Sequence, residues 1–298
     1  MNKYRVLFAL LPLIVSGSVL LSGCATDVEG TASDGYLTGM QRELGEGDVH
    51  SFARVDAEGT PLAIGLSLSE SALHAPPEGM TDGNRCFDHN ADDVLDPHSE
   101  CAPWHERALP LPMDVANRDD MPFKWVLLNW NNHGHIPPGV YDVPHFDVHF
   151  YMEPIETVFS WVRGPCGPEF IRCDQFEVAT RPVPGEYMHP DYINVDAAAP
   201  AMGNHLVDPA APEFQGEPFT RAWIYGSYDG RVIFYEEMVA QSWLQSKPDA
   251  CFDIKTPPEV AVSGYYPNTT CSRFIPATGR TEITLEDFRY REAPETAS

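Results

Sequence analysis

Val143-Pro144-His145-Phe146-Asp147-Val148-His149-Phe150-Tyr151-Met152 is the stretch on which the fold turns. Read as a strand, its side chains alternate faces with a period of two. His145, Asp147, His149 and Tyr151 share one face; Phe146, Val148, Phe150 and Met152 share the other. The apolar face demands a core, and the polar face lines up three metal ligands or proton carriers. A helix competes, because His145 and His149 are also i and i+4, the spacing of two zinc ligands on one helical turn. Pro144 biases its neighbour towards extended geometry, the segment is β-branched and aromatic, and the turn sequence Pro137-Pro138-Gly139 precedes it. These favour the strand. The Cα atoms of His145 and His149 then lie roughly 13 Å apart, too far to share an ion unless a bulge shortens the gap. Neighbours two apart, at roughly 6.6 Å, make the natural pair, so Asp147 with one histidine is the expected ligand set. The competing reading is an acid hydrogen-bonded between imidazoles with no metal.

Working outward, three further segments carry candidates. His133 and His135 lie in the loop before the strand. His205 follows Met202-Gly203-Asn204. Glu236 lies in Phe234-Tyr235-Glu236-Glu237-Met238, the second arm of a hairpin whose turn is Asp229-Gly230. The candidate metal ligands are therefore His145, Asp147, His149, His205 and Glu236. Such a set suits zinc, iron, copper, manganese or nickel and does not choose among them.

A second motif is Cys86 to Cys101. Oxygen ligands at loop positions 1, 3, 5 and 9 would be Asp88, Asn90, Asp92 and Asp96, with the carbonyl of Val94 at position 7. The pattern resembles the calcium loops of EF-hands and of thrombospondin type 3 repeats. It departs where Asp93 replaces the turn glycine and where Ser99 occupies position 12. The expected role for calcium here is structural.

The chain has 298 residues, 28 prolines, seven cysteines and a formal charge of −25. Lys3 and Arg5, an apolar run from Leu7 to Leu21, and Leu21-Ser22-Gly23-Cys24 read as a signal peptide. The last four residues resemble the lipobox of bacterial lipoproteins. The resemblance implies cleavage before Cys24, lipid on its sulfur, and, with Ala25 following, an outer-membrane address. Residues 24–48, rich in Gly, Ser, Thr, Asp and Glu, read as a flexible tether. The acidic surface repels phosphate backbones, which excludes nucleic acid as a partner. The membrane is met through the N-terminal lipid alone; a homo-oligomer stays open. In an exported protein the other six cysteines pair as disulfides, most simply Cys86–Cys101, Cys166–Cys173 and Cys251–Cys271.

Short strands bounded by turn residues, few long helical periodicities and no internal repeat indicate one all-β domain, a barrel or a sandwich, over residues 49–291. Residues 75–101 form its acidic insert, and residues 292–298 read as a disordered tail. The run from Pro137 to Tyr151, then Met202-Gly203 to His205, Tyr225 to Gly230, Phe234 to Met238 and Gly264 to Pro267, resembles an uncharacterised family of exported bacterial β-domain proteins. The resemblance spans roughly residues 105–290. It implies that His145, Asp147, His149, His205 and Glu236 occupy the family's motif positions, and implies no reaction. Gly139 followed by His145 is similar to the start of a cupin motif, although the histidines here are spaced by three residues and no second cupin motif follows.

Three function classes stay open: a lipoprotein that binds a metal or small ligand, a metal-dependent enzyme acting on a small molecule, and a structural envelope component. No serine lies in a nucleophile elbow and no Gly-rich phosphate loop occurs. The binding lipoprotein is favoured narrowly, because a catalytic metal needs an open coordination position that sequence does not display.

Overall fold

The structure, a computed structural model, describes residues 35–295. In chain order its strands are β1 (Gly35–Leu44), β2 (Gly47–Val55), β3 (Pro61–Ser69), β4 (His105–Pro110), β5 (Trp125–Asn131), β6 (His145–Tyr151), β7 (Arg163–Cys166) and β8 (Ile193–Ala199). They continue with β9 (Gly203–Val207), β10 (Arg221–Tyr228), β11 (Arg231–Ala240), β12 (Asp249–Asp253), β13 (Gly264–Tyr266), β14 (Thr269–Ile275), β15 (Arg280–Glu286) and β16 (Arg289–Arg291). A six-stranded sheet runs in the order β1-β2-β3-β15-β14-β12, and a seven-stranded sheet in the order β4-β5-β6-β11-β10-β9-β8. Every pairing is antiparallel, and β13 with β16 forms a small third sheet. The all-β class holds as a sandwich. The barrel alternative does not, because neither large sheet closes on itself: each ends in two edge strands.

The central stretch forms strand β6, an interior strand of the larger sheet, flanked by β5 and β11. Its apolar residues Phe146, Val148 and Phe150 are fully buried. They join one core cluster with Val126 and Leu128 of β5, Val239 of β11, Ile64 and Leu66 of β3, and Ile283 and Leu285 of β15. That cluster lies between the two large sheets. Each such side chain contributes about 1.5–3 kcal/mol on leaving water. Arg221 also donates twice, at 2.7 Å, to the buried carboxylate of Glu237.

The polar face of β6 therefore points away from the sandwich interior. Loops and short helices roof it, and two smaller clusters form there. One gathers Trp125, Leu127, Tyr151 and Phe234 with Val158, Trp161 and Ile171 of the crossover segment. The other gathers Tyr141, Phe219, Ile224 and Met238.

Several boundaries differ from the sequence reading. The tether expected over residues 24–48 is paired strand from Gly35 onward, and Gly35 to Leu44 register against Gly47 to Val55. The domain thus starts before residue 49. Segment 164–220 contains a helix (Cys173–Ala179) and strands β8 and β9. Past the last strand, Ala293 is tied by a hydrogen bond from its N–H to Ser263, so residues 292–295 are not wholly a free tail. The signal peptide and Cys24 lie outside the described residues.

Candidate functional site: two histidine–carboxylate triads

Strand β6 is regular. It pairs residue for residue with β5 and β11, with no bulge in either ladder. Regular alternation puts His145, Asp147, His149 and Tyr151 on one face, as expected. Opposite them stand Asn131, Asn129, Leu127 and Trp125 on β5, and on β11 Glu236 faces His149 while Met238 faces Asp147.

The candidate ligands divide into two triads. In the first, Asp147 lies between His145, with Nε2 3.2 Å from Oδ1, and His135, with Nε2 3.3 Å from Oδ2. Asn131 also donates to Asp147 Oδ2 at 2.7 Å. In the second, Glu236 lies between His149, at 3.3 Å, and His205, at 3.8 Å. Within each triad one ligand atom from each residue lies within 4.8 Å of the others. A third such grouping, Cys251, Cys271 and Glu286, is discounted because its cysteines form a disulfide. The single expected set is thus corrected: Asp147 and His149 belong to different triads, and the histidine of β6 that joins Asp147 is His145.

All four histidines share one hydrogen-bonding arrangement. Nδ1 meets a backbone carbonyl in each: Val143 for His145, Ile136 for His135, Leu127 for His149 and Ala197 for His205, at 2.7–3.3 Å. A carbonyl only accepts, so Nδ1 carries the proton. In the neutral ring this leaves Nε2 as a lone pair directed at the carboxylate. Lone pair then faces lone pair. Consistent with this, His145 Nε2, Asp147 Oδ1, His149 Nε2 and Glu236 Oε2 are buried without a hydrogen-bond partner, as are both amide atoms of Asn129 beside them. Orphaned polar atoms in such number are costly unless something compensates them.

Burial and neighbours set the protonation of each triad differently. Burial pushes the Asp147 carboxyl up, but His145 and His135 outweigh it and hold Asp147 well below the usual carboxylate range. Burial opposes charge on His135, yet the Asp147 carboxylate raises it to about 9. In the second triad burial wins. It lowers His149 to about 3 and His205 to about 4, and together with the Asp147 charge raises the Glu236 carboxyl well above its ordinary value. The surroundings thus act oppositely on the two carboxyls: Asp147 is held towards its charged form and Glu236 is pushed towards its neutral one.

Local sequence explains the placement. Gly134 has φ +74°, and a Cβ there would lie 2.0 Å from the Tyr141 carbonyl, so only glycine lets the loop fold back and bring His135 over Asp147. Gly226 faces His205 across the β9–β10 ladder. A Cβ on it would lie 1.8 Å from the Phe234 ring, which packs 5.0 Å from His149 and 5.3 Å from His205 between ring centroids.

His135, Asp147, His205 and Glu236 line a cavity of about 490 Å³, whose other walls are mostly apolar, among them Trp104, Ile136, Tyr141 and Met238. Among the described residues, Glu169 is its remaining acid and no lysine or arginine lines it. His135, one of the loop candidates in the sequence, stood outside the expected ligand set and completes the first triad. Asn129 and Asn131 were missed; the alternation of Trp125, Leu127, Asn129 and Asn131 along β5 was the available clue.

The acidic loop is ordered by its own carboxylates. Asp88 accepts from the N–H groups of Ala91, Asp92 and Asp93, Asn90 from Asp92, Asp92 from Val94, and Asp96 from His98. Asp93 adopts the left-handed φ, +63°, that a turn glycine would take. Glu100, which the sequence reading left outside the ligand set, is buried and accepts from His89, Asn90 and Asp96. Among the described residues, Asp88, Asp92 and Asp96 do not form a close ligand group of the kind seen on β6. The three expected disulfides are present.

Compared with protein-family models, curated proteins and solved structures, the chain matches none.

Proposed function

We propose that this is an envelope-anchored lipoprotein whose β domain binds a divalent transition metal on the outer face of its larger sheet, beneath a cavity for a small organic molecule. One observation carries the reading. Four imidazoles have Nδ1 spent on backbone carbonyls and Nε2 aimed at two buried carboxylates, with several of those atoms lacking a hydrogen-bond partner. Metal-binding histidines almost always hold their second ring nitrogen in this way, which fixes the tautomer and aims the ligating lone pair. A divalent cation would satisfy the imidazole lone pairs and the carboxylate oxygens of a triad at once, where a single proton bridges only one pair. Two histidines and one carboxylate suit zinc or non-haem iron and leave coordination positions open. The cavity's apolar walls favour a ligand whose polar atoms are concentrated at the end that reaches the metal. Open positions facing such a cavity suit binding and catalysis alike, so a metal-dependent enzyme is the second reading.

The test is elemental analysis of full-length protein purified without added metal, then again after exposure to zinc, iron(II) and cobalt(II). Stoichiometric metal is expected in the wild type. Asp147→Asn combined with Glu236→Gln should lower it to background while circular dichroism keeps its β signature. A wild type that takes up none of these ions would defeat the proposal.

A further inference from the structure

We infer that the β6 face holds two ions side by side, one in each triad, and that both open into the same cavity. The inference rests on the metal-binding reading above and adds its stoichiometry. Because β6 runs without a bulge between β5 and β11, Asp147 and His149 are same-face neighbours about 6.6 Å apart at Cα. Ligand bonds of about 2.0–2.2 Å do not let one ion take His145 and His135 at one end and His149 and His205 at the other. Each triad is complete alone, with two Nε2 atoms and one carboxylate whose ligand atoms lie within 4.8 Å.

The cross-strand partners explain why the triads are built differently. Opposite His149, strand β11 supplies Glu236. Opposite Asp147 it supplies Met238, which offers no such hard donor. The first triad therefore draws its third ligand, His135, from the loop folded back at Gly134, whereas the second draws His205 from β9. Each set contains one carboxylate, so each ion carries its own partial charge compensation.

Ligands from both sets line the cavity: His135 and Asp147 from the first, His205 and Glu236 from the second. A molecule entering between the apolar walls meets both ions at one floor. The ligand class this fits is a small, largely apolar molecule with oxygen donors at one end that coordinate one ion or span both.

The test is titration of chelator-treated full-length protein with cobalt(II), followed by visible absorption and by elemental analysis after desalting. Two equivalents are expected for the wild type. His145→Ala and His149→Ala should each retain one, and the double variant none. If either alanine variant fails to fold, the shape-conserving Asp147→Asn and Glu236→Gln serve instead, each expected to retain one equivalent. One equivalent in the wild type would overturn the paired site while leaving the metal-binding reading intact. One equivalent lost entirely by substitution in either triad would identify a single shared ion. No bound cobalt would overturn both readings together.

Discussion

Gly226 shows how much one residue decides at the site. Its missing side chain is the space that the Phe234 ring occupies, and that ring packs against His149 and His205. Gly226→Ala puts a carbon where the ring lies, and such overpacking costs about 1–3 kcal/mol. A lower urea midpoint with unchanged slope is expected, together with weaker metal uptake by the Glu236 triad as the ring is forced towards the histidines. An unchanged midpoint would mean that the ring has room to move and that the glycine is incidental. Asp147 and Glu236 make the complementary point. They are both carboxylates on one sheet face, yet one is held charged by two imidazoles and the other is neutralised by burial and by its neighbour's charge. Side-chain identity alone does not predict that divergence.

Among the elements, β6 was the most legible, because alternation over seven residues specifies both faces at once and a register slip would turn the apolar residues outward. The Asp229-Gly230 hairpin was equally legible, since β10 and β11 meet at that turn. β1 was not. Its composition, Gly-Tyr-Leu-Thr-Gly-Met-Gln-Arg-Glu-Leu, reads as linker because the strand is a sheet edge and mostly exposed. It is held by its ladder to β2, by Tyr36 stacked 4.9 Å from Phe52, and by the fully buried Leu44. Deleting residues 35–44 should therefore destabilise the domain. Loss of Leu44 alone is worth about 1.5–3 kcal/mol, and Phe52 loses its cover. Thermal melting of the deletion variant against the full chain checks this; coincident melts would restore the tether.

The whole molecule joins an acidic sandwich to an N-terminal segment with a lipobox-like motif. We expect Cys24→Ala to move the protein from the membrane to the soluble fraction and to abolish incorporation of labelled fatty acid. Unchanged fractionation and labelling would remove the lipid anchor from the proposal. At this scale the division between sequence and structure is physical. The sequence alone determined the all-β class and the two faces of β6, because these depend on period and turn chemistry, and it offered the local disulfide pairs as the simplest of fifteen pairings, which the structure then shows. It also marked His145, Asp147, His149, His205 and Glu236. Only the tertiary structure decided that these form two sets, that His135 completes the first, and that the site lies outside the sandwich core under loops. Those outcomes depend on which residue of β11 faces which residue of β6 and on how the loop at Gly134 folds back. Both are contacts between segments far apart in the chain, and no local pattern encodes the register that brings them together.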